Sequence, residues 1–333
     1  MAELKMKLDR FGICTATLDG EDFKVIISDS KREMTHARVS PDKEWITFSR
    51  YNKMGEMGFA TEHTTEGFRD TEIMIARIDG SSLKTLIPPK EGVVSCNSYW
   101  TPDGNLLYVS TDNPERKPEI RRIDLDADME VKEITVLPVP KNLLPSDPHQ
   151  VNNLIVFPAV EVPDFIRGIW IMKEDGSDLR QITVPRDPET KKPVSMRQDK
   201  FNGDADPKLS PDGSKVAFMR HVRGRYLWHI FVVDVETGEE IDLSKNYIPH
   251  GYKAADAMPE WSSDGKLLVF WNLDLENGRT DLYKIKPDGS EREIIPLPKE
   301  YNYKMPAFFP GEGSGNNARI IFCTRHRSIP ITS

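Results

Sequence analysis

The chain has 333 residues, of which 38% are hydrophobic and 29% are charged, a balance typical of a globular protein rather than a disordered one. Its formal net charge is -8 and its Lys and Arg residues are scattered, which argues against nucleic acid or an anionic membrane as partner, because both require a basic surface. No apolar run reaches about 18 residues, so the sequence predicts no membrane-spanning segment.

The N-terminal segment from Met1 to Leu8 alternates charged and apolar residues and lacks the apolar core of a signal peptide. This pattern leaves two interpretations of the compartment open. Either the protein is cytoplasmic, or the chain is the mature form of a periplasmic or secreted protein that begins with an added Met.

A short turn motif recurs along the chain and divides it into similar units. Its copies are Ser40-Pro41-Asp42, Thr101-Pro102-Asp103-Gly104, Ser210-Pro211-Asp212-Gly213 and Ser262-Ser263-Asp264-Gly265. Pro presets φ at the first corner of a turn, Asp tolerates the second, and Gly takes the left-handed conformation that closes a hairpin. Recurrence of a hairpin turn at this spacing predicts a repeat architecture.

A second turn motif alternates with copies of the first along much of the chain and completes the repeat. Stretches of alternating apolar and polar residues end at Asp79-Gly80, Asp175-Gly176 and Asp288-Gly289, and a short strand-like stretch follows each of them. Alternation with β-branched residues is typical of strands, and no helical period of useful length occurs. Each unit is therefore predicted to contain four strands, with the first motif between strands one and two and the second between strands three and four.

Six such units are predicted, and the sixth is split between the two ends of the chain. The units span about residues 34–90, 95–140, 145–186, 203–244, 255–298, and 303–325 completed by 11–28. Pairing the two ends closes a ring and removes exposed sheet edges. The sequence thus predicts one all-β domain over residues 1–333, a six-bladed β-propeller of four-stranded antiparallel blades closed between the N- and C-terminal strands.

Two cysteines fall in the split blade, on strands predicted to be neighbours. If Cys14 and Cys323 share a face of the sheet, a disulfide between them would lock the ring, provided that their Cα atoms lie within about 7 Å. If the register differs by one residue, the two side chains lie on opposite faces and remain buried thiols. Both interpretations stay open, and the bridged form would favour an oxidising compartment.

The repeats resemble a known family. The Ser-Pro-Asp-Gly turn, the preceding Trp100, Leu209 or Trp261, and the Asp-Gly-Ser turn are similar to the repeats of TolB-like six-bladed propellers, also called WD40-like or PD40 repeats. The resemblance covers nearly the whole chain and implies the propeller fold. It implies much less about function, since the family includes periplasmic interaction proteins, protease-associated propellers and polysaccharide lyases.

Connection lengths predict which face of the propeller binds a ligand. The turns within the two motifs are tight, whereas the connections from second to third strand and from one blade to the next are long. These include residues 50–70, 158–168, 184–203 and 244–255. Long loops on a rigid scaffold commonly carry binding sites. We call this side the long-connection face, and we expect the first strands to line a central channel that opens on it.

Two rings of residues on the first strands are predicted to meet near the channel mouth. Strict alternation along a strand would place both rings on one side. The rings are His36, Asn97, Asp147, Asp206, Met258 and Met305, and, two residues earlier, Met34, Ser95, Pro145, Asp204, Asp256 and Tyr303. Asp204, Asp206 and Asp256 are therefore candidate metal ligands, with Ca²⁺ or Mn²⁺ as the candidate cofactor, because clustered oxygen ligands suit hard divalent cations. The favoured interpretation is a solvated polar channel without a cation, because an Asp at the start of a strand often hydrogen-bonds to neighbouring backbone amides.

Other polar residues complete the predicted site. Asp147, Asn97, Arg225 and His250 are candidate ligand-binding residues, and His36 and Tyr252 are weak candidates for a catalytic base.

Two functions are consistent with these residues. The first is a non-catalytic binding propeller whose long-connection face takes a protein or saccharide. The second is a metal-assisted lyase or hydrolase acting on a carbohydrate-like anion at the channel mouth. The first is favoured, because the sequence shows no legible base, nucleophile or complete ligand set within reach of one another.

Overall fold

The computed structural model describes residues 10–51, 70–187, 190–198, 203–222, 228–248 and 254–327. All regular elements within these ranges are β-strands. Consequently, the described part of the chain contains no helix of the length and apolar character that crossing a bilayer requires.

The strands of the first half are β1 (Phe11–Thr17), β2 (Lys24–Asp29), β3 (Met34–Val39), β4 (Trp45–Tyr51), β5 (Thr71–Arg77), β6 (Lys84–Ile87), β7 (Ser95–Trp100), β8 (Leu106–Ser110), β9 (Glu119–Leu125), β10 (Val131–Val136), β11 (Leu143–Pro145), β12 (His149–Val151) and β13 (Leu154–Glu161). Those of the second half are β14 (Ile166–Lys173), β15 (Arg180–Gln181), β16 (Asp204–Leu209), β17 (Lys215–His221), β18 (Trp228–Asp234), β19 (Glu240–Asp242), β20 (Ala254–Trp261), β21 (Leu268–Asp274), β22 (Arg279–Ile285), β23 (Glu293–Ile294), β24 (Tyr301–Phe308) and β25 (Arg319–His326).

These strands form six antiparallel sheets, which confirms the predicted six-bladed propeller. In five sheets, four strands follow one another in space, for example β3-β4-β5-β6 and β16-β17-β18-β19. In the third sheet, the first strand is interrupted between Pro145 and His149, so that β11 and β12 both pair with β13.

The ring closes within one sheet, as the sequence predicts. The N-terminal pair β1 and β2 joins the C-terminal pair β24 and β25 in the order β2-β1-β25-β24. In this sheet Ile13 lies opposite Cys323, and Cys14 lies opposite Phe322. The two cysteines are therefore offset by one residue, face opposite sides of the sheet and pack in different apolar clusters. Both are buried free thiols.

The repeated turns are held by the residues that define them. The Ser40 hydroxyl donates to the Asp42 carboxylate over 2.5 Å and accepts from the backbone N–H of Trp45 over 2.9 Å. Ser210 makes the same contacts with Asp212 and Lys215. This local hydrogen bonding explains why the motif recurs where first and second strands meet.

One aromatic side chain occupies the same position in the second strand of every blade. These residues are Phe48, Tyr108, Phe157, Phe218, Phe270 and Phe322, and each is at most 1% exposed. Burying an aromatic ring of this size supplies much of the apolar area that holds two sheets together.

Candidate functional site

The first strand of each blade contains an irregularity that determines where its side chains point. In five blades the register shifts by one residue, for example between Thr35 and Arg38 and between Ala205 and Lys208, as in a β-bulge. The residue at this point has a left-handed φ of 40–57° in all six blades. We call these six the bulge residues: His36, Asn97, Asp147, Asp206, Met258 and Met305.

The bulge corrects the expectation that the two rings of first-strand residues share one side. Strict alternation holds only for a regular pleat, and an extra residue reverses the facing of everything before it. Asp206 lies at a bulge and lines the channel-end cavity described below. Asp204 and Asp256 precede their bulges and instead make ion pairs with Arg220 and Arg292.

Asp204 is part of a buried contact between the third and fourth blades. Its carboxylate accepts hydrogen bonds from Arg220 Nε over 2.7 Å and Nη2 over 2.9 Å, and from the Thr183 hydroxyl over 2.5 Å. The side chain of Asp204 is completely buried. An aspartate held this way has no free oxygen directed to the channel for a cation.

Asp256 makes the equivalent contact between the fourth and fifth blades. It accepts hydrogen bonds from Ser244 over 2.7 Å, from Asn272 over 2.7 Å and from Arg292 Nη2 over 3.0 Å. It is also completely buried. The recurrence of a hydroxyl, an aspartate and an arginine at successive blade junctions indicates a structural role for both carboxylates.

Four bulge residues bring polar side chains together, and we call them the channel cluster: His36, Asn97, Asp147 and Asp206. One ligand atom from each of His36, Asp147 and Asp206 lies within 4.8 Å of the other two. Asn97 joins them by donating a hydrogen bond from Nδ2 to Asp147 Oδ1. The structure thus unites His36, Asn97, Asp147 and Asp206 of the predicted site residues, and leaves out Asp204 and Asp256.

Burial perturbs the titratable groups of the channel cluster. Burial and the neighbouring Asp147 carboxylate raise the pKa of Asp206 to about 7, and burial also raises the pKa of Asp147. Burial, together with the nearby cations Arg38 and Lys208, holds the pKa of His36 well below its usual value. At neutral pH the imidazole is therefore uncharged and its ring offers a lone pair.

A second polar ring lies two residues further along the first strands, toward the tight turns. Its members are Arg38, Tyr99, His149, Lys208 and Glu260. Tyr99 donates to Glu260 over 2.8 Å, and His149 Nδ1 accepts from the backbone N–H of Leu209 over 2.9 Å. This ring separates the channel cluster from a smaller cavity of about 220 Å³, which is bordered by turn residues such as Pro41 and Pro102.

The channel cluster forms part of the wall of a larger cavity of about 430 Å³. The rest of the wall is largely apolar and includes Tyr51, Cys96, Val160, Met219, Trp228, Met258, Trp271 and Met305. Tyr51 ends a second strand and Trp228 begins a third strand. The cavity therefore lies at the channel end from which the connections between second and third strands leave, where a concave apolar site with a few polar groups is typical of ligand pockets.

Some predicted site residues lie outside the described residues. They are Arg225, His250 and Tyr252, as well as residues 52–69 of the first long connection. Sequence reasoning missed Arg167, which is buried and lines the same cavity as Asp147 and Asp206. It also missed Lys208, whose charge acts on both carboxylates.

A sequence signal for the bulges was available. Pro148, Pro207, Pro259 and Pro306 each follow a bulge residue inside a first strand. Proline inside a strand commonly marks a bulge or an edge, because it cannot donate to the ladder.

The search of protein-family models and the search of curated proteins found no match to this chain. Solved structures share its fold. TolB from Acinetobacter baumannii matches with a TM-score of 0.61 and 16% identity over 90% of this chain and 66% of that chain, so the chain spans about two thirds of that protein. A candidate TolB from Agrobacterium tumefaciens matches with a TM-score of 0.65 and 14% identity over 96% and 99%. A nidogen/laminin complex matches with a TM-score of 0.52 and 10% identity over 86% and 94%. At these identities the likeness concerns the fold alone.

Proposed function

We propose that this protein is a binding propeller that receives a segment of a protein partner in the cavity at the long-connection end of its channel. The observation that carries the proposal is the cavity itself, whose largely apolar wall also holds the channel cluster and further polar side chains such as Arg116, Arg167 and Asn302. Its volume of about 430 Å³ falls within the range of pockets that enclose a ligand.

The wall chemistry favours a protein segment over a saccharide. Trp228, Trp271 and Met305 are buried and offer apolar and aromatic contacts, which suit an inserted apolar side chain. A saccharide presents many hydroxyls and requires a dense set of hydrogen-bonding partners, whereas the surface of this wall is mostly apolar, although it includes polar side chains such as Arg116 and Asn302. The structurally similar nidogen/laminin structure is a complex, which is compatible with a propeller acting in this way.

A metal-assisted lyase or hydrolase is the second candidate function. It is favoured by one observation, the convergence of His36 with Asp147 and Asp206, since these side chains could hold an electrophilic cation or, with His36 unbound, place a neutral base beside two carboxylates. A screen of the purified protein against anionic polysaccharides, with and without added Mn²⁺, tests this function directly. If the wild type turns over a substrate and His36→Gln does not, we would conclude that the protein is an enzyme and not a binding propeller.

A peptide-display selection tests the binding function. Random peptides are selected on the immobilised wild-type protein. Their affinities for the wild type and for the Val160→Trp and Ser214→Trp variants are then measured by calorimetry. Val160→Trp fills the half-buried cavity wall, whereas Ser214→Trp adds the same side chain to an exposed tight turn between β16 and β17. We expect Val160→Trp to weaken binding by at least about tenfold, or about 1.4 kcal/mol, and Ser214→Trp to leave it unchanged.

Two results would contradict this function. Equal affinity of the selected peptides for all three proteins would exclude the cavity as their site, and loss of binding in Ser214→Trp alone would move the site to the opposite face. A glycan array read with the same three proteins covers the saccharide alternative. Cavity-dependent glycan binding without peptide binding would change the partner class to saccharide.

A further inference from the structure

Three ligand-type side chains from three blades converge at one point of the channel. His36 comes from the first blade, Asp147 from the third and Asp206 from the fourth. The structure assigns to them a binding site for one divalent transition-metal cation, held by a ring nitrogen of His36 and by carboxylate oxygens of Asp147 and Asp206. The remaining coordination positions would face the cavity, where water or a ligand group completes them.

The spacing of the three ligand atoms fits a single ion. Two atoms that each lie about 2.0–2.2 Å from one Zn²⁺ or a cation of similar size can be separated by at most about 4.4 Å. The ligand atoms of His36, Asp147 and Asp206 lie within 4.8 Å of one another, so side-chain rotations that draw them together would complete the site. A cluster of carboxylates in open solvent would have no reason to keep this spacing.

Unsatisfied buried atoms provide the second, independent observation. Both ring nitrogens of His36 are buried and have no hydrogen-bond partner among the described residues. The Asn97 Oδ1 atom, in the same cluster, shares this condition within the described part of the chain. Leaving a buried polar atom unpaired costs about 1–3 kcal/mol, so a native protein rarely keeps several together unless something binds there. A cation that takes a ring nitrogen, with its bound waters, would remove this penalty.

The backbone holds the three side chains in place before a cation arrives. Each is a bulge residue with a left-handed φ, 55° for His36, 40° for Asp147 and 49° for Asp206. Such conformations are costly for residues other than glycine and persist where surrounding structure enforces them, commonly at functional sites. Here both flanks of each residue belong to paired strands, so binding requires little ordering of the chain.

The ligand set selects the kind of cation. Two carboxylates alone would suit Ca²⁺ or Mg²⁺, but an imidazole nitrogen favours Mn²⁺ or Zn²⁺. The positive side chains of Lys208 and Arg167 act on the same carboxylates and oppose a cation. We therefore expect the affinity for the cation to depend on all three ligands, so that removal of any one of them weakens binding.

Calorimetric titration with the metal alone tests this assignment. Purified protein is stripped with EDTA and titrated with Mn²⁺ and with Zn²⁺, and bound Mn²⁺ is counted by electron paramagnetic resonance. We expect one equivalent to bind, and His36→Gln, Asp147→Asn and Asp206→Asn each to weaken the affinity by at least about tenfold. Asp212→Asn removes an exposed carboxylate on a tight turn at the other end of β16, and should leave the affinity unchanged.

Weak binding of several equivalents that is the same in wild type and in every variant would overturn the assignment. So would the absence of binding by both metals to the wild-type protein, a result that does not depend on whether any variant folds. The Co²⁺-loaded wild type gives a second readout, because its visible spectrum distinguishes nitrogen and oxygen coordination from free aqueous ion. Because no partner is present in these titrations, their failure would leave the proposed binding of a protein segment standing.

Discussion

Asp204 and Asp206 are two residues apart in the chain, yet they face different surroundings. Asp204 is fully buried against Arg220 and Thr183, whereas Asp206 lines the cavity. Asp204→Asn should lower the free energy of unfolding by about 3 kcal/mol, because the partly buried Arg220 loses its fully buried charged partner, while Mn²⁺ affinity stays unchanged. Asp206→Asn should instead weaken Mn²⁺ binding and leave the free energy of unfolding nearly unchanged. Urea unfolding in EDTA and calorimetry measure the two effects separately.

Loss of Mn²⁺ affinity in a folded Asp204→Asn variant would return this residue to the ligand set. Arg220 keeps hydrogen bonds to Glu240 over 2.5 and 2.9 Å in that variant, which limits the expected loss of stability.

Asp264 links two blades through its carboxylate and should make the free energy of unfolding depend on pH in the acid range. It accepts hydrogen bonds from Ser262 over 2.6 Å and from the Ser314 hydroxyl over 2.8 Å. Burial acts against ionisation, but these hydrogen bonds outweigh it and lower the pKa of Asp264 to about 2. Since the folded pKa lies below the unfolded value of 3.8, the contribution is complete above about pH 4 and disappears as the pH falls toward 2.

Asp264→Asn should therefore be less stable than wild type at neutral pH, by at most about 1 kcal/mol because the residue is exposed, and this difference should shrink in acid. Urea unfolding at several pH values measures it. Asp42→Asn is the matched control, since Asp42 accepts hydrogen bonds from Ser40 and Glu44 within its own turn. A difference that grows on acidification would contradict the assignment of this effect to Asp264.

At the scale of the element, the bulged first strand is the feature that organises the site. Met258 has a φ of 53° at its bulge, a conformation that penalises β-branched side chains most. Met258→Val should be less stable than Met258→Leu by about 1 kcal/mol or more. The same pair of substitutions at Met219, which lies in a regular part of β17, should show a smaller difference. Thermal or urea unfolding of the four variants decides this, and equal differences at both positions would argue against the bulge.

The strands and turns of this protein can be predicted from its sequence, whereas the bulges in the first strands are harder to predict. Turn motifs such as Ser210-Pro211-Asp212-Gly213 are local, because their hydrogen bonds join residues a few positions apart, so the strands and the blade number follow from the sequence. The side of the strand on which Asp204 lies depends on a bulge that strict alternation does not include. Pro207, which directly follows the bulge residue Asp206, is a local sequence signal of that bulge. The cavity wall combines Trp228 and Trp271 with residues of other blades, which a repeat pattern cannot position.

At the scale of the whole molecule, ring closure through one mixed blade predicts which cysteine pair can be joined. Cys14 and Cys323 face opposite sides of their sheet, whereas Ile13 lies directly opposite Cys323. The double substitution Ile13→Cys and Cys14→Ala should therefore form a disulfide when refolded in a glutathione redox buffer. Joining β1 to β25 closes almost the entire chain into a loop, which should raise the free energy of unfolding by up to about 5 kcal/mol.

Wild-type protein refolded in the same buffer is the control and should keep free thiols at Cys14 and Cys323. Thiol counting under denaturing conditions and non-reducing electrophoresis give the readout. A bridge in the wild type, or none in the double variant, would contradict the register between β1 and β25.

In-cell photo-crosslinking tests whether this ring binds its partner at the long-connection end of the channel. A benzophenone amino acid is placed at Val94, a half-buried residue of the cavity wall, and in a second protein at Ser214 on the tight turns. In cells that naturally make the protein, we predict a discrete crosslinked product from Val94 that Val160→Trp abolishes, and none from Ser214. A product from Ser214 with none from Val94 would contradict binding at this end of the channel.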